Sequence, residues 1–99
     1  MTGPMRFSVI IPTFNSAPTL QVLLVSLDKQ SFRDFEVIVV DDGSTDETES
    51  YCAGRNVRYE QTPTRSGPAS ARNRGAEVAQ GEWLVFSDAD TVFEPSTLT

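Results

Sequence analysis

The runs "FSVII" (residues 7–11) and "FEVIVV" (35–40) carry aromatic or branched apolar residues at nearly every position. A strand with one face in water alternates apolar and polar residues, whereas a run without alternation is covered on both faces. Between the two runs the period changes. Leu20, Leu23, Leu24 and Leu27 fall at i, i+3, i+4 and i+7, the spacing of a single helical face. A buried strand, an amphipathic helix and a second buried strand in that order point to a parallel sheet with helices on both faces.

The rest of the chain repeats the alternation. Asn15 or Ser16 is expected to cap the first helix, with Pro18 in its first turn. "DDGSTDET" reads as a turn and a helix start, with Ser44 or Thr45 as cap and Asp46 and Glu47 in the first turn. That helix reaches about Gly54, and a weaker strand covers 57–61. After the Pro/Gly-rich loop "TPTRSGPAS", the segment "ASARNRGAEVAQG" is expected to be a helix ending at Gly81. "EWLVFS" reads as a last buried strand, and "EPSTLT" as the opening of a further helix. The expected order is βαβαβαβ, a three-layer α/β/α arrangement. Right-handed crossovers give a mainly parallel sheet in the order 3-2-1-4. One domain is expected over residues 1–99, incomplete at its C-terminus because it stops inside an element; no repeat or linker divides it.

Charge and composition then remove whole classes of function. A net charge of −6 argues against a nucleic-acid backbone as partner, which calls for a basic face. It leaves room for a nucleotide, because a divalent cation can bridge carboxylates to a diphosphate. The chain contains no histidine and one cysteine, Cys52, so it holds neither a Ser-His-Asp triad, nor an imidazole zinc site, nor an internal disulfide. No apolar run approaches the roughly 20 residues of a membrane span. A cytoplasmic location is expected, with membrane association only through regions following Thr99.

The unusual polar residues all follow strand ends: "PTFN", "DDGSTD" and "SDAD". In an open parallel sheet, ligands bind outside the carboxyl ends of the strands where strand order reverses. Asp41, Asp42, Asp88, Asp90 and also Asp46 are therefore expected to share one crevice, where their charges repel unless a cation sits among them. Oxygen ligands without Cys or His select a hard ion, Mg²⁺ or Mn²⁺. The competing reading is that Asp, Gly and Ser simply make turns and caps. Neither G-x-G-x-x-G nor a Walker sequence is present, so a diphosphate would depend on the metal and on Arg65, Arg72 or Arg74. For Arg72 the alternative is a surface pair with Glu77.

Four blocks stand in order: "VIIPTFN", "VVDDGSTD", "GPASARNRG" and, after an apolar strand, the D-x-D of "SDAD". Over residues 6–99 the chain resembles the start of a family 2 glycosyltransferase of GT-A fold, enzymes that move a sugar from a nucleotide diphosphate sugar to an acceptor with inversion. The resemblance implies that Pro12, Thr13 and Asn15 line the nucleoside pocket, that Asp42 meets the base edge, and that Arg72 lies near the nucleotide. It implies Asp90 as direct metal ligand, with Asp88 at the ribose or reaching the metal through water. Phe14 stands where tyrosine is commoner, which leaves a stacking face without a hydroxyl. No catalytic base is expected before Thr99, so the chain alone is expected to bind the donor without transferring sugar, and to self-associate through its uncovered last strand. A nucleotide-binding module without transferase activity is the alternative. A haloacid-dehalogenase-type phosphohydrolase also places D-x-D after an apolar strand, and a phosphorelay receiver pairs acids after its first strand; both fit the order of elements less well.

Overall fold

The computed structural model describes residues 6–90 apart from Phe32 and Thr64. The helix expected over "EPSTLT", with Glu94, lies outside the described residues. Seven elements follow in order: β1 (Phe7–Thr13), α1 (Ala17–Asp28), β2 (Phe35–Asp41), α2 (Thr48–Ala53), β3 (Arg58–Gln61), α3 (Pro68–Val78) and β4 (Trp83–Phe86). The four strands form one sheet in the order β3-β2-β1-β4, and every pair is parallel. Both the element order and the strand order agree with the expectation from sequence.

Alternation along each strand divides the core in two. Val9, Ile11 and Val39 point to one face, where Leu20, Leu23, Leu24 and Leu27 of α1 and Cys52 of α2 cover them. Ile10, Ile38 and Val40 point to the other, beneath Ala71 of α3. Burying a leucine side chain contributes about 1.5–3 kcal/mol, so the α1 stripe is the largest single source of cohesion. The second face is more tightly constrained in shape. A Cβ on Gly75 would come within 2.4 Å of Ile10 Cγ2 and 3.3 Å of Val40 Cγ2. The glycine of "ARNRG" is therefore what lets α3 lie flat on the sheet.

Four local expectations are corrected. β1 does not end with the apolar run at residue 11 but continues through Pro12 to Thr13, which pairs with Asp41. Ile10 C=O accepts from Ser87 N–H on the β4 side, and Pro12, two residues on, faces the same side beyond the last β1–β4 pair, where no N–H is called for. Second, α3 ends at Val78, not Gly81. Gly81 lies against β1, where a Cβ would meet Phe7 C at 2.6 Å, and its N–H donates to Ser8 Oγ at 2.8 Å. Third, neither Ser44 nor Thr45 caps α2, whose N-cap position is Glu47. Finally, β4 is not buried as its apolar run suggests but uncovered, as its edge place in the strand order implies: Trp83 is 61% and Phe86 49% exposed, and among the described residues the strand pairs with β1 alone.

Candidate functional site

At the carboxyl ends of β1 and β4, the point of strand-order reversal, lies a crevice of about 150 Å³. Pro12, Thr13 and Phe14 from the end of β1 form one wall. Asp42 after β2 and Asp88 after β4 flank it, and Arg65, Pro68, Ala71 and Arg72 close it from the loop before α3 and from α3 itself. Of the residues expected to bind a nucleotide sugar, Pro12, Thr13, Asp42, Arg72 and Asp88 come together here. Asn15 and Asp90 are not part of its lining.

Each wall has a local cause. Asp42 is 4% exposed, and its carboxylate gathers the loop before α3: Oδ1 accepts from Thr62 Oγ1 at 2.7 Å and from Ser66 N–H at 2.8 Å, and Oδ2 from Gly67 N–H at 2.9 Å. Burial pushes its pKa up, but these donors and the Arg65 charge outweigh that and hold it below the usual aspartate value. Gly67, with φ of +97°, takes a backbone conformation that side chains resist, and so turns the loop into α3. Asn15, itself in the left-handed region with φ of +47°, donates its N–H to Ser44 Oγ at 2.9 Å and accepts from Thr45 N–H at 2.7 Å. Its amide thus latches the ends of β1 and β2 together.

Asp46 performs the capping that sequence assigned to nearer residues. Its Oδ2 accepts from Ala17 N–H, the first residue of α1, at 3.1 Å, while Oδ1 accepts from Thr48 N–H and the Thr48 hydroxyl at the start of α2. The Thr48 hydroxyl is the main reason its pKa lies below the ordinary aspartate value; burial opposes the shift, and Ala17 N–H adds to it. A cap supplied from 29 residues away leaves no local signature.

The expected gathering of Asp41, Asp42, Asp46, Asp88 and Asp90 into one crevice does not occur. Consecutive residues at a strand end point to opposite sides, so Asp41 and Asp42 cannot both face it. Asp41, 1% exposed, accepts from Ser44 N–H at 2.8 Å and from the Tyr59 hydroxyl. Burial and that hydrogen bond raise the Tyr59 pKa, keeping the phenol protonated. Among the described residues, no three of the Asp, Glu and Cys side chains form a group that could hold a metal ion.

Asp88 and Asp90 differ from the rest. Both are exposed, and neither carboxylate has a hydrogen-bond or ion-pair partner among the described residues. Such a pair fits a hard divalent ion that takes its remaining oxygens from water and a ligand's phosphates. Of the three candidate cations, Arg74 is committed to Glu60 at 2.9 Å and to Glu77 at 3.5 Å. The pair with Glu77 that was the alternative for Arg72 thus belongs to Arg74, and Arg72 and Arg65 line the crevice. Reading the sequence missed Thr62, Ser66 and Gly67 as the seat of Asp42; the clustered Ser, Gly and Pro of that loop were its only signal.

A larger groove, about 650 Å³, opens at the far end of the sheet beside Arg33, Arg55 and Arg58. Its cations are already engaged: Arg55 with Asp28, Arg58 with Glu60, and Arg33 with the Asp28 carbonyl. The crevice at the strand carboxyl ends is the better site.

A parallel sheet with helices on both faces and a crevice at its switch point places the domain among open α/β folds, whose ligands bind outside the carboxyl ends of the strands. Residues 8–99 match Glycosyl transferase family 2, and the chain belongs to that family. It is 45% identical over 101 residues to the poly(ribitol-phosphate) beta-N-acetylglucosaminyltransferase TarS of Staphylococcus aureus, covering 95% of this chain and 18% of TarS. To the PGL/p-HBAD biosynthesis glycosyltransferase of Mycobacterium tuberculosis it is 41% identical over 105 residues, covering 99% of this chain and 40% of the relative. Among solved structures, TarS 1-349 in complex with UDP-GlcNAc superposes with a TM-score of 0.86 at 44% identity, covering 95% of this chain and 29% of the other. The mannosyltransferase PcManGT of Pyrobaculum calidifontis, in complex with GDP-Man and Mn²⁺, gives a TM-score of 0.79 at 32% identity, covering 97% and 30%. The fold is therefore that of GT-A glycosyltransferases. The chain spans less than half the length of these relatives. The phosphohydrolase and receiver readings fall with this assignment.

Proposed function

We propose that this chain is the nucleotide-sugar-binding part of an inverting, metal-dependent glycosyltransferase. The observation that carries the reading is the convergence of Asp42, Arg72, Asp88 and an exposed aromatic, Phe14, on one crevice at the switch point. Solved relatives of the same fold carry UDP-GlcNAc or GDP-Man at 44% and 32% identity, which supports a nucleotide sugar as donor. In this reading the nucleoside lies along Pro12, Thr13 and Phe14, beside Asp42. The diphosphate runs toward Asp88, with the Arg72 guanidinium as counter-charge.

The ion, Mn²⁺ or Mg²⁺, would be held by Asp90 with Asp88 beside it, and would supply charge stabilisation to the departing nucleoside diphosphate. The protein's own part in that step is positional. The crevice fixes the diphosphate so that the anomeric carbon faces away from the sheet, toward an acceptor whose hydroxyl a general base must deprotonate. We assign that base, and the acceptor pocket, to regions outside residues 1–99. The second reading, a module that binds nucleotide without transfer, gives the same binding behaviour and differs only in that last step.

Thermal unfolding of the protein with UDP, UDP-GlcNAc, GDP or GDP-mannose, each with and without Mn²⁺, tests the proposal. One of the four should raise the midpoint, and Mn²⁺ should enlarge the rise. No shift with any of them, with or without metal, overturns the reading.

A further inference from the structure

Among the described residues Phe14 is the one aromatic lining the crevice, and although it is exposed, one face of its ring is already covered. The Arg65 guanidinium lies over it, 3.6 Å from the ring centroid. A planar cation at that separation fills the space a planar base would take when stacked on the same face, so the two cannot be there together. The backbone of Arg65 cannot retreat to make room. The next two N–H groups, of Ser66 and Gly67, are fastened to Asp42, and Thr62 holds the other end of the loop to the same carboxylate. The Arg65 side chain is exposed, and an exposed side chain changes rotamer in picoseconds to nanoseconds.

We propose that Arg65 is an internal stand-in for the nucleobase: it occupies the Phe14 face in the free protein, is displaced when the base stacks there, and then pairs with the ligand's diphosphate. The inference rests on the nucleotide reading given above and adds to it a residue that acts twice. The displaced guanidinium remains anchored at the crevice edge, beside Asp42 and on the same wall as Arg72. Apart from Arg65 the crevice sets two carboxylates, Asp42 and Asp88, against one cation, Arg72, so a cation released by the base itself delivers further positive charge where the phosphates arrive. A nucleoside without phosphates displaces Arg65 and gets nothing back, whereas a nucleoside diphosphate recovers the lost stacking as an ion pair. The exchange therefore discriminates against free nucleosides.

Calorimetric binding of uridine and UDP, with guanosine and GDP as a parallel pair, all with Mn²⁺, separates the possibilities. In Arg65→Ala the nucleoside should bind about two- to fivefold more tightly, the equivalent of one exposed cation–π contact. The diphosphate should bind about tenfold more weakly, as expected when a charge-assisted contact is lost. Arg65→Lys keeps the charge but not the planar stack, so it should gain nucleoside affinity and hold diphosphate affinity near that of the unaltered protein. An unchanged unfolding midpoint for both variants shows that the fold is intact; a lowered midpoint in Arg65→Ala transfers the test to Arg65→Lys. If Arg65→Ala weakens nucleoside and diphosphate alike, Arg65 sandwiches the base and the stand-in role is wrong. If neither affinity moves, Arg65 is a bystander. Both results overturn the exchange while leaving the nucleotide reading standing. Failure of the unaltered protein to bind any of the four overturns that reading, and the exchange with it.

Discussion

At the carboxyl end of β2, Asp41, Asp42 and Asp46 all accept hydrogen bonds from the chain itself: from the β3 tyrosine, the loop before α3, and the starts of α1 and α2. At the carboxyl end of β4, Asp88 and Asp90 stand exposed, with carboxylates that have no partner among the described residues. The residue type is the same and so is the position relative to a strand, yet burial and donors separate the two loops. A carboxylate supplied with N–H and O–H donors by its own fold is building material. One left exposed beside a crevice is available to bind something else. The contrast is graded at Asp42, which is saturated with donors and still lines the crevice.

The sharpest way to break this contrast is Asp42→Ala. It removes the carboxylate that accepts from Ser66 N–H, Gly67 N–H and the Thr62 hydroxyl. Hydrogen bonds to a charged group contribute about 1.5–3 kcal/mol each, but they are not additive when one group is deleted, so about 3 kcal/mol of stability should go. Urea unfolding measures it. Loss of less than about 0.5 kcal/mol would show that the loop before α3 does not depend on Asp42. Nucleotide affinity should fall as well, because the wall carrying Arg65 loosens.

Asp46→Ala should cost less, about 1–2 kcal/mol, the usual effect of losing a helix cap. Two helices lose their first acceptor together, since Ala17 N–H and Thr48 N–H share that carboxylate. Asp46→Asn keeps one oxygen and should recover part of the loss. Helical content of the two variants by circular dichroism, beside their urea midpoints, checks this.

These residues also mark where sequence reading succeeded and where it stopped. The sheet was legible because "SVII" and "VIVV" do not alternate, and a non-alternating strand has few homes. The order of strands followed from handed crossovers. That Asp88 and Arg72 would line the crevice was legible because both stand in ordered sequence blocks, Asp88 just after a strand and Arg72 on the helix that closes the switch point. What was not legible acts at long range. Asp46 caps a helix 29 residues earlier, Asp42 seats a loop 20 to 25 residues later, and Gly81 makes room for β1 across 73 residues. Local propensity offered Ser44, Thr45 and a helix-ending glycine in their place. The exposure of β4 was legible only from its edge place in the strand order: "WLVF" is apolar enough for a central strand, and nothing within it marks an edge.

A gentler probe of the same contrast is acid. Asp42 and Asp46 both have folded pKa values below the ordinary aspartate value of 3.8. A carboxyl depressed on folding stabilises the native state above its unfolded pKa, and that contribution is lost as pH falls through the folded value. Stability should therefore drop below about pH 3.8, and Asp42→Asn with Asp46→Asn should flatten that limb. Glu60, lowered first by its Arg58 hydrogen bond and then by Arg74, against an opposing effect of burial, adds to the limb and should keep some slope in the double variant. Urea midpoints at pH 3 to 7 are the measurement. An unchanged limb in the double variant would place the acid sensitivity outside the β2 loop.

The smallest effect on stability is expected at Asp88 and Asp90, and it is the most informative. Neither carboxylate has a partner among the described residues, so Asp88→Asn or Asp90→Asn should move the urea midpoint by less than the equivalent of about 0.5 kcal/mol. The cost should surface in binding instead. If these two carboxylates hold the ion that meets the diphosphate, the gain in nucleoside diphosphate affinity on adding Mn²⁺ should be present in the unaltered protein and absent in Asp90→Asn. Asp88→Asn should reduce it. Affinity without metal should change little, because an amide at either place takes nothing from the nucleoside wall at Pro12, Thr13 and Phe14. Asp46→Asn should do the opposite, lowering stability while leaving the metal-dependent gain intact. Should Asp90→Asn retain the full gain while Asp46→Asn lost it, the metal would belong to the β2 loop, and the division between built-in and outward-facing carboxylates would have to be redrawn.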